Sequence, residues 1–352
     1  MKKNEENKIE EMERIEKDNK VKEIEKKNET SLLESQENLE DKNISVKLIN
    51  TIVTSGQSEF VFVRDNYLYL ADGFAGIKVF DISLPENPQL IGSYDIPGYS
   101  EGVFVLNNYA FVSDKGGGFL ILEVSDPQKI VLVSRYKPIF SEGIFVVKDY
   151  AFVAYSWWGV KIFDVSNKFS SLPVYEKDLP GEAEGLFVSE NYLFLAKGKD
   201  NGFQIFDISN IEKPVLLSTY TVPGYAESVF VKDNYLFLAT DTEGLKIFDI
   251  SNPKRPILLS SLEVSGSAES VFVSQNYAFL ATGKGGFSVV DVSNPRNPKI
   301  AANLKVPYFT ERVFVSGDYA FLAAKDTPDG KLTGTNLDIK NAGRLLVIKV
   351  LK

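Results

Sequence analysis

Short apolar runs separated by turn residues fill the chain from about residue 46 to its last residues. Many runs hold three to five apolar or aromatic residues in succession, such as residues 229–231 (VFV) and 235–239 (YLFLA). Asp, Asn, Gly, Ser and Pro dominate the intervening positions, and a pair such as Asp233-Asn234 suits a tight hairpin that needs a positive φ. The pattern therefore predicts a succession of short β-strands joined by tight turns.

This apolar pattern repeats with a period of about 42 residues. In each copy a glutamate is followed eight residues later by a tyrosine, with a phenylalanine between them, and successive tyrosines lie 42, 41, 42, 43, 42 and 42 residues apart. We expect the repeated tyrosines and phenylalanines to lie in the core. Each copy carries four strand signals, which is the signature of a β-propeller, and we predict seven blades. The seven glutamates are Glu59, Glu101, Glu142, Glu184, Glu227, Glu269 and Glu311.

The two ends of the repeated region predict how the ring closes. The last copy stops after its third strand signal, at residues 345–350, whereas residues 46–54 resemble a fourth strand without a blade of its own. We expect this N-terminal strand to pair with the third strand of the last copy. Such a 3+1 clasp removes the open sheet edge that would invite aggregation.

The third strand and the turn after it carry a resemblance to a known family. Residues 247–253 (IFDISNP) and 289–295 (VVDVSNP) resemble the LVIVD repeat, with weaker copies elsewhere. The resemblance covers about residues 46–352 and implies a β-propeller, often on a bacterial or archaeal cell surface. It brings no catalytic residues with it. The departures are Lys168 and Ile211 where the turn proline is expected and Lys349 in place of the last Asp.

Residues 1–45 differ from the repeats and are rich in Glu, Lys and Asn. Their apolar positions are too sparse for a core face, so we expect a charged tail that is disordered or partly helical. The propeller domain is then residues 46–352. No apolar signal segment follows Met1 as the sequence is written, which predicts a cytoplasmic protein, whereas the family resemblance suggests the cell surface.

Composition excludes several kinds of chemistry. The chain has no Cys and no His, which removes thiol nucleophiles, Ser-His and Cys-His arrangements and the usual zinc and copper ligands. Its net charge of −9, without a cluster of Lys or Arg, argues against nucleic acid and against an anionic membrane surface. No segment is apolar enough to predict membrane insertion. We expect a monomer.

The repeated glutamates precede the innermost strand of each blade, so all seven should meet near the mouth of the central channel. One interpretation is structural, with each carboxylate accepting hydrogen bonds from backbone N–H groups as a clamp between blades. A second is a carboxylate ring that holds a cation such as Ca²⁺, or a cationic ligand. A third, a pair of carboxylates that hydrolyses glycosides, lacks any residue that singles out one pair.

Residues that differ between copies predict a binding face at the same end of the propeller. The position two residues before the glutamate is often aromatic, and the only two tryptophans lie in the turn between the second and third strands of the third copy. The same turn of the seventh copy expands into residues 325–343. The residues of this expected face are Tyr99, Phe140, Trp157, Trp158, Tyr225, Tyr308 and Phe309.

Aromatic platforms beside an acidic mouth favour a non-catalytic binding or scaffold module that takes a protein, a peptide or a glycan. The alternative is a carboxylate-based hydrolase or lyase that acts on sugars. Neither reading calls for a cofactor or a metal, apart from the possible cation in the glutamate ring. An enzyme should show one carboxyl group set apart from the others, whereas a binding module should show near-equivalent glutamates.

Overall fold

The computed structural model describes residues 44–137, 140–169, 172–177, 183–198, 202–326 and 342–351. Residues 1–43, which hold nearly all of the expected tail, lie outside the described residues, as does most of the expanded turn of the seventh copy. Within the described part, no helix is long and apolar enough to cross a membrane.

The described chain from Ser45 to Leu351 forms seven antiparallel four-stranded sheets, so the predicted seven-bladed propeller is confirmed. Blades 1 to 3 consist of β2 Phe60–Arg64, β3 Tyr67–Ala71, β4 Ile77–Asp81, β5 Gln89–Tyr94; β6 Ser100–Leu106, β7 Tyr109–Asp114, β8 Gly118–Glu123, β9 Val131–Tyr136; and β10 Ile144–Val147, β11 Tyr150–Ala154, β12 Val160–Asp164, β13 Pro173–Lys177.

Blades 4 to 6 follow the same order. They consist of β14 Leu186–Ser189, β15 Tyr192–Ala196, β16 Phe203–Asp207, β17 Val215–Tyr220; β18 Ser228–Lys232, β19 Tyr235–Ala239, β20 Leu245–Asp249, β21 Ile257–Leu262; and β22 Ser270–Ser274, β23 Tyr277–Ala281, β24 Phe287–Asp291, β25 Lys299–Leu304.

Blade 7 joins the two ends of the chain. Its first three strands are β26 Phe309–Ser316, β27 Tyr319–Lys325 and β28 Gly343–Leu351, and its fourth is the N-terminal strand β1 Ser45–Val53. Strand β1 runs antiparallel to β28 and pairs with it from Ser45 opposite Leu351 to Val53 opposite Arg344. The predicted clasp is therefore present, and it covers the edge that β28 would otherwise expose.

The turn chemistry follows the sequence. In the first hairpin of every blade, the residue after the first strand has a φ between 52° and 58°, as at Asp233. The acid that ends the third strand accepts a hydrogen bond from the backbone N–H two residues later in five blades, as in Asp249 with Ser251 at 2.9 Å. These carboxylates cap their turns and so have a structural role.

The apolar core lies between adjacent blades. The second and third strands of each blade are almost fully buried, because a neighbouring blade covers each face. One cluster, for example, joins Phe237 and Ile247 of blade 5 to Val271 and Leu280 of blade 6. This packing fixes the angle between blades and so brings the first strands together around one axis.

Candidate functional site

A cavity of about 850 Å³ opens at one end of the channel, and all seven repeated glutamates line it. We call these residues, listed in the sequence analysis, the glutamate ring. A cavity of this size falls within the range of small-molecule binding sites. The structure thus places the ring where the repeat pattern predicts it, at the channel mouth.

Backbone pairing between blades holds each ring member in place. In five blades, the turn between the second and third strands forms a bridge to the segment just before the glutamate of the next blade, as between Ser156 and Ala183. The glutamate N–H then donates to the second strand of its own blade, as Glu227 does to the Ala239 carbonyl at 3.0 Å. Its carboxylate is left to face the cavity.

Two lysines bind four of the seven carboxylates. Lys115 Nζ lies 2.6 Å from Glu101 Oε1 and 3.1 Å from Glu142 Oε2. Lys115 therefore joins blade 2, to which it belongs, to blade 3.

Lys325 Nζ lies 2.6 Å from Glu59 Oε1 and 3.0 Å from Glu311 Oε1. The clamp between blades that the sequence suggested is present for these four glutamates. Its donors, however, are lysine ammonium groups from the turn between the second and third strands, not backbone N–H groups.

Arg312 is the third cation of the cavity. Its guanidinium Nη1 donates to the main-chain carbonyls of Glu269 at 3.0 Å and Glu311 at 3.2 Å. It therefore covers the gap between blades 6 and 7 while lying more than 4 Å from any described carboxylate oxygen. With every group ionised, seven carboxylates and three cations leave the ring with a charge of −4.

Hydroxyl groups reach three ring members. The Tyr99 hydroxyl donates to Glu59, the Tyr225 hydroxyl to Glu184, and the Ser267 hydroxyl to Glu269. Tyr99 and Tyr225 occupy equivalent positions, each reaching back to the preceding blade.

Within the part of the chain that the structure describes, no group makes a hydrogen bond or ion pair with the Glu227 carboxylate, unlike those of the other six ring members. Glu227 belongs to blade 5 and lies between Glu184 and Glu269 in the ring. Among the described residues, these two neighbours accept hydrogen bonds from hydroxyl groups and pair with no ammonium group. The ring is therefore less well neutralised by contact on this side.

Burial raises the pKa of several ring carboxyls, and their neighbours add to it. The pKa of Glu269 is raised to about 7 by burial and then by Glu311, against the opposing effects of Ser267 and Arg312. The pKa of Glu227 is raised well above its usual range by burial and then by Glu269, against the opposing effect of Arg312.

The same cause acts on the side that holds the lysines. Burial raises the pKa of Glu142 to about 7 and that of Glu101 to about 8, although Lys115 opposes both shifts. Burial also raises the pKa of Glu311. The raised values occur on five blades, so they do not single out one carboxyl group as a general acid.

The seven phenylalanines of the repeat form the floor of the cavity. Each lies three residues after a ring glutamate, which places it roughly 10 Å deeper along the strand. Neighbouring rings touch all the way around the axis, with centroids 4.6–5.3 Å apart. This phenylalanine ring consists of Phe62, Phe104, Phe145, Phe187, Phe230, Phe272 and Phe314.

Aromatic side chains surround the mouth. Trp157 and Trp158 are 64% and 57% exposed. Phe74, which occupies the position of blade 1 equivalent to Trp157, is also exposed, as is Phe140 in the loop before Glu142. The Phe140 N–H donates to the Lys115 carbonyl at 2.9 Å, which ties this loop to the lysine turn of blade 2. These four side chains are exposed in loops at the mouth end of blades 1 and 3.

Other residues expected on this face have different surroundings. Tyr99 is buried against Phe74 and lines the cavity, as does Phe309. Tyr225 is half-buried. Tyr308 is also half-buried, and the Arg344 guanidinium carbon lies 5.5 Å from the centre of its ring. The expanded turn of the seventh copy lies, from residue 327 to 341, outside the described residues, so its place on this face stays a prediction.

Sequence reasoning missed Lys115, Lys325 and Arg312, and it assigned the seven phenylalanines to the core when they line the channel. A signal for the lysines was present, because both stand six residues after the repeated tyrosine. Without the propeller geometry, nothing indicated that this position faces two glutamates. The phenylalanines were misassigned because they alternate with core valines in an apolar run.

The positions of the carboxylates limit which cations the glutamate ring can hold. Among the described residues, no group of three or more acidic side chains is arranged to hold a metal ion. By contrast, two pairs of neighbouring glutamates each converge on one ammonium nitrogen. The arrangement therefore fits a nitrogen cation better than Ca²⁺, which takes six to eight oxygen ligands.

Known proteins resemble the chain in sequence pattern and in fold. The LVIVD repeat matches residues 55–96, 97–137, 141–174, 180–222, 223–264, 265–306 and 309–327. The curated proteins gave no significant match.

Two solved structures are similar in fold. One is the WD40 repeats of RRP9, with a TM-score of 0.66 and 15% identity over 87% of this chain and 100% of that one. The other is the computationally designed protein Ika8, with a TM-score of 0.60 and 12% identity over 82% of each chain. At these identities the likeness concerns the fold alone.

Proposed function

This chain belongs to the LVIVD-repeat family, and we propose that it is a non-catalytic binding module whose channel mouth takes a segment of a partner protein. The observation that carries the proposal is the pair of tryptophans, which stand 64% and 57% exposed beside the mouth. Large exposed aromatic side chains are costly to leave in water and are enriched at recognition sites. Similar propellers support a binding role in general and name no partner.

The charge of the mouth favours a basic peptide among the ligands that the sequence leaves open. The glutamate ring lines the cavity, and with all groups ionised its seven carboxylates outnumber the three cations there. A basic segment would be drawn to this potential and would stack its cationic side chains on Trp157 or Trp158. A neutral glycan could stack on the tryptophans and donate hydroxyl hydrogen bonds to the carboxylates, but it would gain no charge attraction from them.

Replacing Trp157 and Trp158 by alanine tests the proposal. We expect the double variant to lose at least tenfold in affinity for a panel of basic peptides, measured by fluorescence anisotropy near pH 7. Because both side chains are exposed, the free energy of unfolding should change by less than about 0.5 kcal/mol. The binding loss would then reflect the surface and not the fold.

A matched control lies on the same blade. Phe169 is 78% exposed in the turn between the third and fourth strands, at the opposite end of blade 3. Phe169→Ala should leave peptide binding unchanged. Equal binding by the wild type and the double tryptophan variant would show that this face is not the one used, and binding of neutral oligosaccharides instead would identify a glycan site.

The alternative of a sugar hydrolase or lyase stays open to a direct assay. It needs one acid with a distinctive pKa, whereas raised values occur here on five blades. Turnover of a set of nitrophenyl glycosides that is lost in a single Glu→Gln variant would favour the enzyme. The expected monomer can be checked by light scattering in the same samples.

A further inference from the structure

Lys115 and Lys325 show how the glutamate ring holds an ammonium group. Both stand six residues after the repeated tyrosine of their blade, directly at the end of the second strand. In both cases the ammonium nitrogen lies 2.6–3.1 Å from the carboxylates of two adjacent blades. A gap between two ring glutamates is therefore a fitting site for one primary ammonium group.

The equivalent position in the other five blades has no cationic side chain. It holds Gly73, Ser156, Gly198, Asp241 and Gly283, all with a φ between 37° and 56°. This left-handed backbone favours small residues, whereas neither lysine adopts it. The chain thus fills two of the seven gaps between ring glutamates with its own ammonium groups. At the equivalent position of the other five blades, the backbone is left-handed and carries no cation.

Three of these remaining gaps are covered in other ways. Tyr99 reaches Glu59 across the gap between blades 1 and 2, and Tyr225 reaches Glu184 across the gap between blades 4 and 5. Arg312 covers the gap between blades 6 and 7. The least covered part of the ring is centred on Glu227, whose carboxylate has no hydrogen bond or ion pair with any described residue. The pKa of this carboxyl is raised by burial and by the nearby Glu269 carboxylate, and the Arg312 guanidinium opposes the shift without cancelling it. A bound cation would relieve the cost that is left.

The floor of the cavity indicates the rest of the ligand. Between the carboxylates and the phenylalanine ring, which lies roughly 10 Å deeper, the cavity lining includes Ser228 and Ser270. The phenylalanine ring itself presents an apolar surface. A small hydrated cation would leave this apolar surface in contact with water. An apolar chain that extends from the cation toward the floor would cover it.

We propose that the cavity binds a primary ammonium group carried on an apolar chain, with the nitrogen between Glu227 and Glu269 and the chain directed toward the phenylalanine ring. Such a group is found on a free alkylamine and on the lysine side chain of a peptide. The inference rests on the proposed function in that the ligand enters through the same mouth, and it names the chemical group recognised there.

Calorimetric titration with 1-hexylamine near pH 8 tests the proposal, with 1-hexanol as the neutral match and methylamine as the short match. We expect hexylamine to bind and hexanol to bind at least tenfold more weakly. Affinity should rise by up to about fourfold for each CH₂ added between methylamine and hexylamine, as apolar chain replaces water over the floor. Absence of hexylamine binding, or equal affinity for hexanol, would overturn the proposal.

Two isosteric variants locate the site on the ring. Glu227→Gln should lower the affinity for hexylamine at least tenfold, since it removes the carboxylate that has no partner among the described residues. Glu101→Gln removes the same charge from the side where Lys115 already occupies the gap, and it should lower the affinity less than threefold. Equal losses in the two variants would mean that the amine responds to overall charge and has no defined site.

Two further measurements complete the test. The first distinguishes a lysine side chain from a free amine, and the second distinguishes the ammonium site from the tryptophan surface of the proposed function. A capped Gly-Lys-Gly peptide, compared with its norleucine counterpart, tests whether a lysine side chain can enter from a peptide. Weaker binding of this peptide than of hexylamine would assign the site to free amines. The variant with both tryptophans replaced should keep hexylamine binding, because neither tryptophan lines the cavity, so each proposal can fail without the other.

Discussion

The two sides of the glutamate ring arise from one repeated sequence and differ in how their charges are neutralised. On blades 7, 1, 2 and 3, each carboxylate touches a lysine ammonium group. On blades 4, 5 and 6, the described carboxylates receive hydroxyl groups or no partner, and the nearest cation, Arg312, binds main-chain carbonyls. We call these the closed side and the open side.

The difference shows how a near-symmetric fold acquires a single site. Seven equivalent positions cannot by themselves distinguish one direction around the axis. Two lysines neutralise four of the carboxylates and join two pairs of adjacent blades, blade 2 with blade 3 and blade 7 with blade 1. The same residues that stabilise one side therefore define the other as the place for an external cation.

The largest expected effect comes from removing the more deeply buried lysine. Lys325→Met leaves Glu59 and Glu311 without their shared counter-ion, and we expect the free energy of unfolding near pH 8 to fall by about 3–5 kcal/mol. Lys115→Met should cost only about 1 kcal/mol, because the Lys115 side chain is 40% exposed and that of Lys325 is 8% exposed. Urea unfolding measures both.

Losses of the same size in the two lysine variants would show that burial of the ammonium group does not decide its contribution. Repeating the measurement near pH 5 sharpens the test. Burial raises the pKa of Glu311, so this carboxyl takes up a proton more readily at the lower pH, and the loss in Lys325→Met should shrink.

The next effect concerns pH. Burial raises the pKa of Glu269 from 4.5 to about 7 in the folded state. The folded protein therefore binds this proton more tightly than the unfolded chain does, and the stability gained from it is lost as the pH rises from about 4.5 through 7. We expect Glu269→Gln to remove this loss and to stabilise the protein near pH 8 by on the order of 2 kcal/mol.

Glu142→Gln provides the comparison from the closed side. The pKa of Glu142 is also raised to about 7 by burial, but its carboxylate holds Lys115. Replacing it removes a partner from that lysine, so we expect little or no gain in stability near pH 8. Thermal unfolding across pH 5 to 9 gives both curves, and a similar gain in the two variants would remove the distinction between the sides.

The smallest expected effect is the loss of stability when a phenylalanine of the floor is replaced, and it should be equal on the closed and open sides. The phenylalanine ring is continuous, so Phe104→Leu under the closed side and Phe230→Leu under the open side each lose two aromatic contacts. We expect each to cost about 1 kcal/mol, within about 0.5 kcal/mol of the other. A clear inequality in urea unfolding would mean that the asymmetry of the ring extends to the floor.

Much of the fold follows from local pattern. A positive φ at Asp233 and the capping carboxylate of Asp249 are properties of a few consecutive residues, and both were predictable. The clasp was predictable as well, since a strand without a blade and a blade without a strand leave one arrangement that satisfies both edges.

The candidate site was predictable only in outline. The spacing of Glu227 and its counterparts placed a carboxylate near the axis in every blade, because repetition in a closed ring brings equivalent residues together. The partners of those carboxylates did not follow. Lys115 meets Glu142 across a blade boundary, and the sequence offers no measure of the angle at which two blades pack.

The sequence by itself determined the strands, the turns, the number of blades and the acidic character of the mouth. These depend on alternation, turn residues and period, which are read along the chain. Only the tertiary structure decided which carboxylates are neutralised, that the repeated phenylalanines form a floor, and that Glu227 faces the cavity without a described partner. Those outcomes depend on distances of a few ångströms between side chains about 40 residues apart, which blade packing sets and which no local pattern encodes.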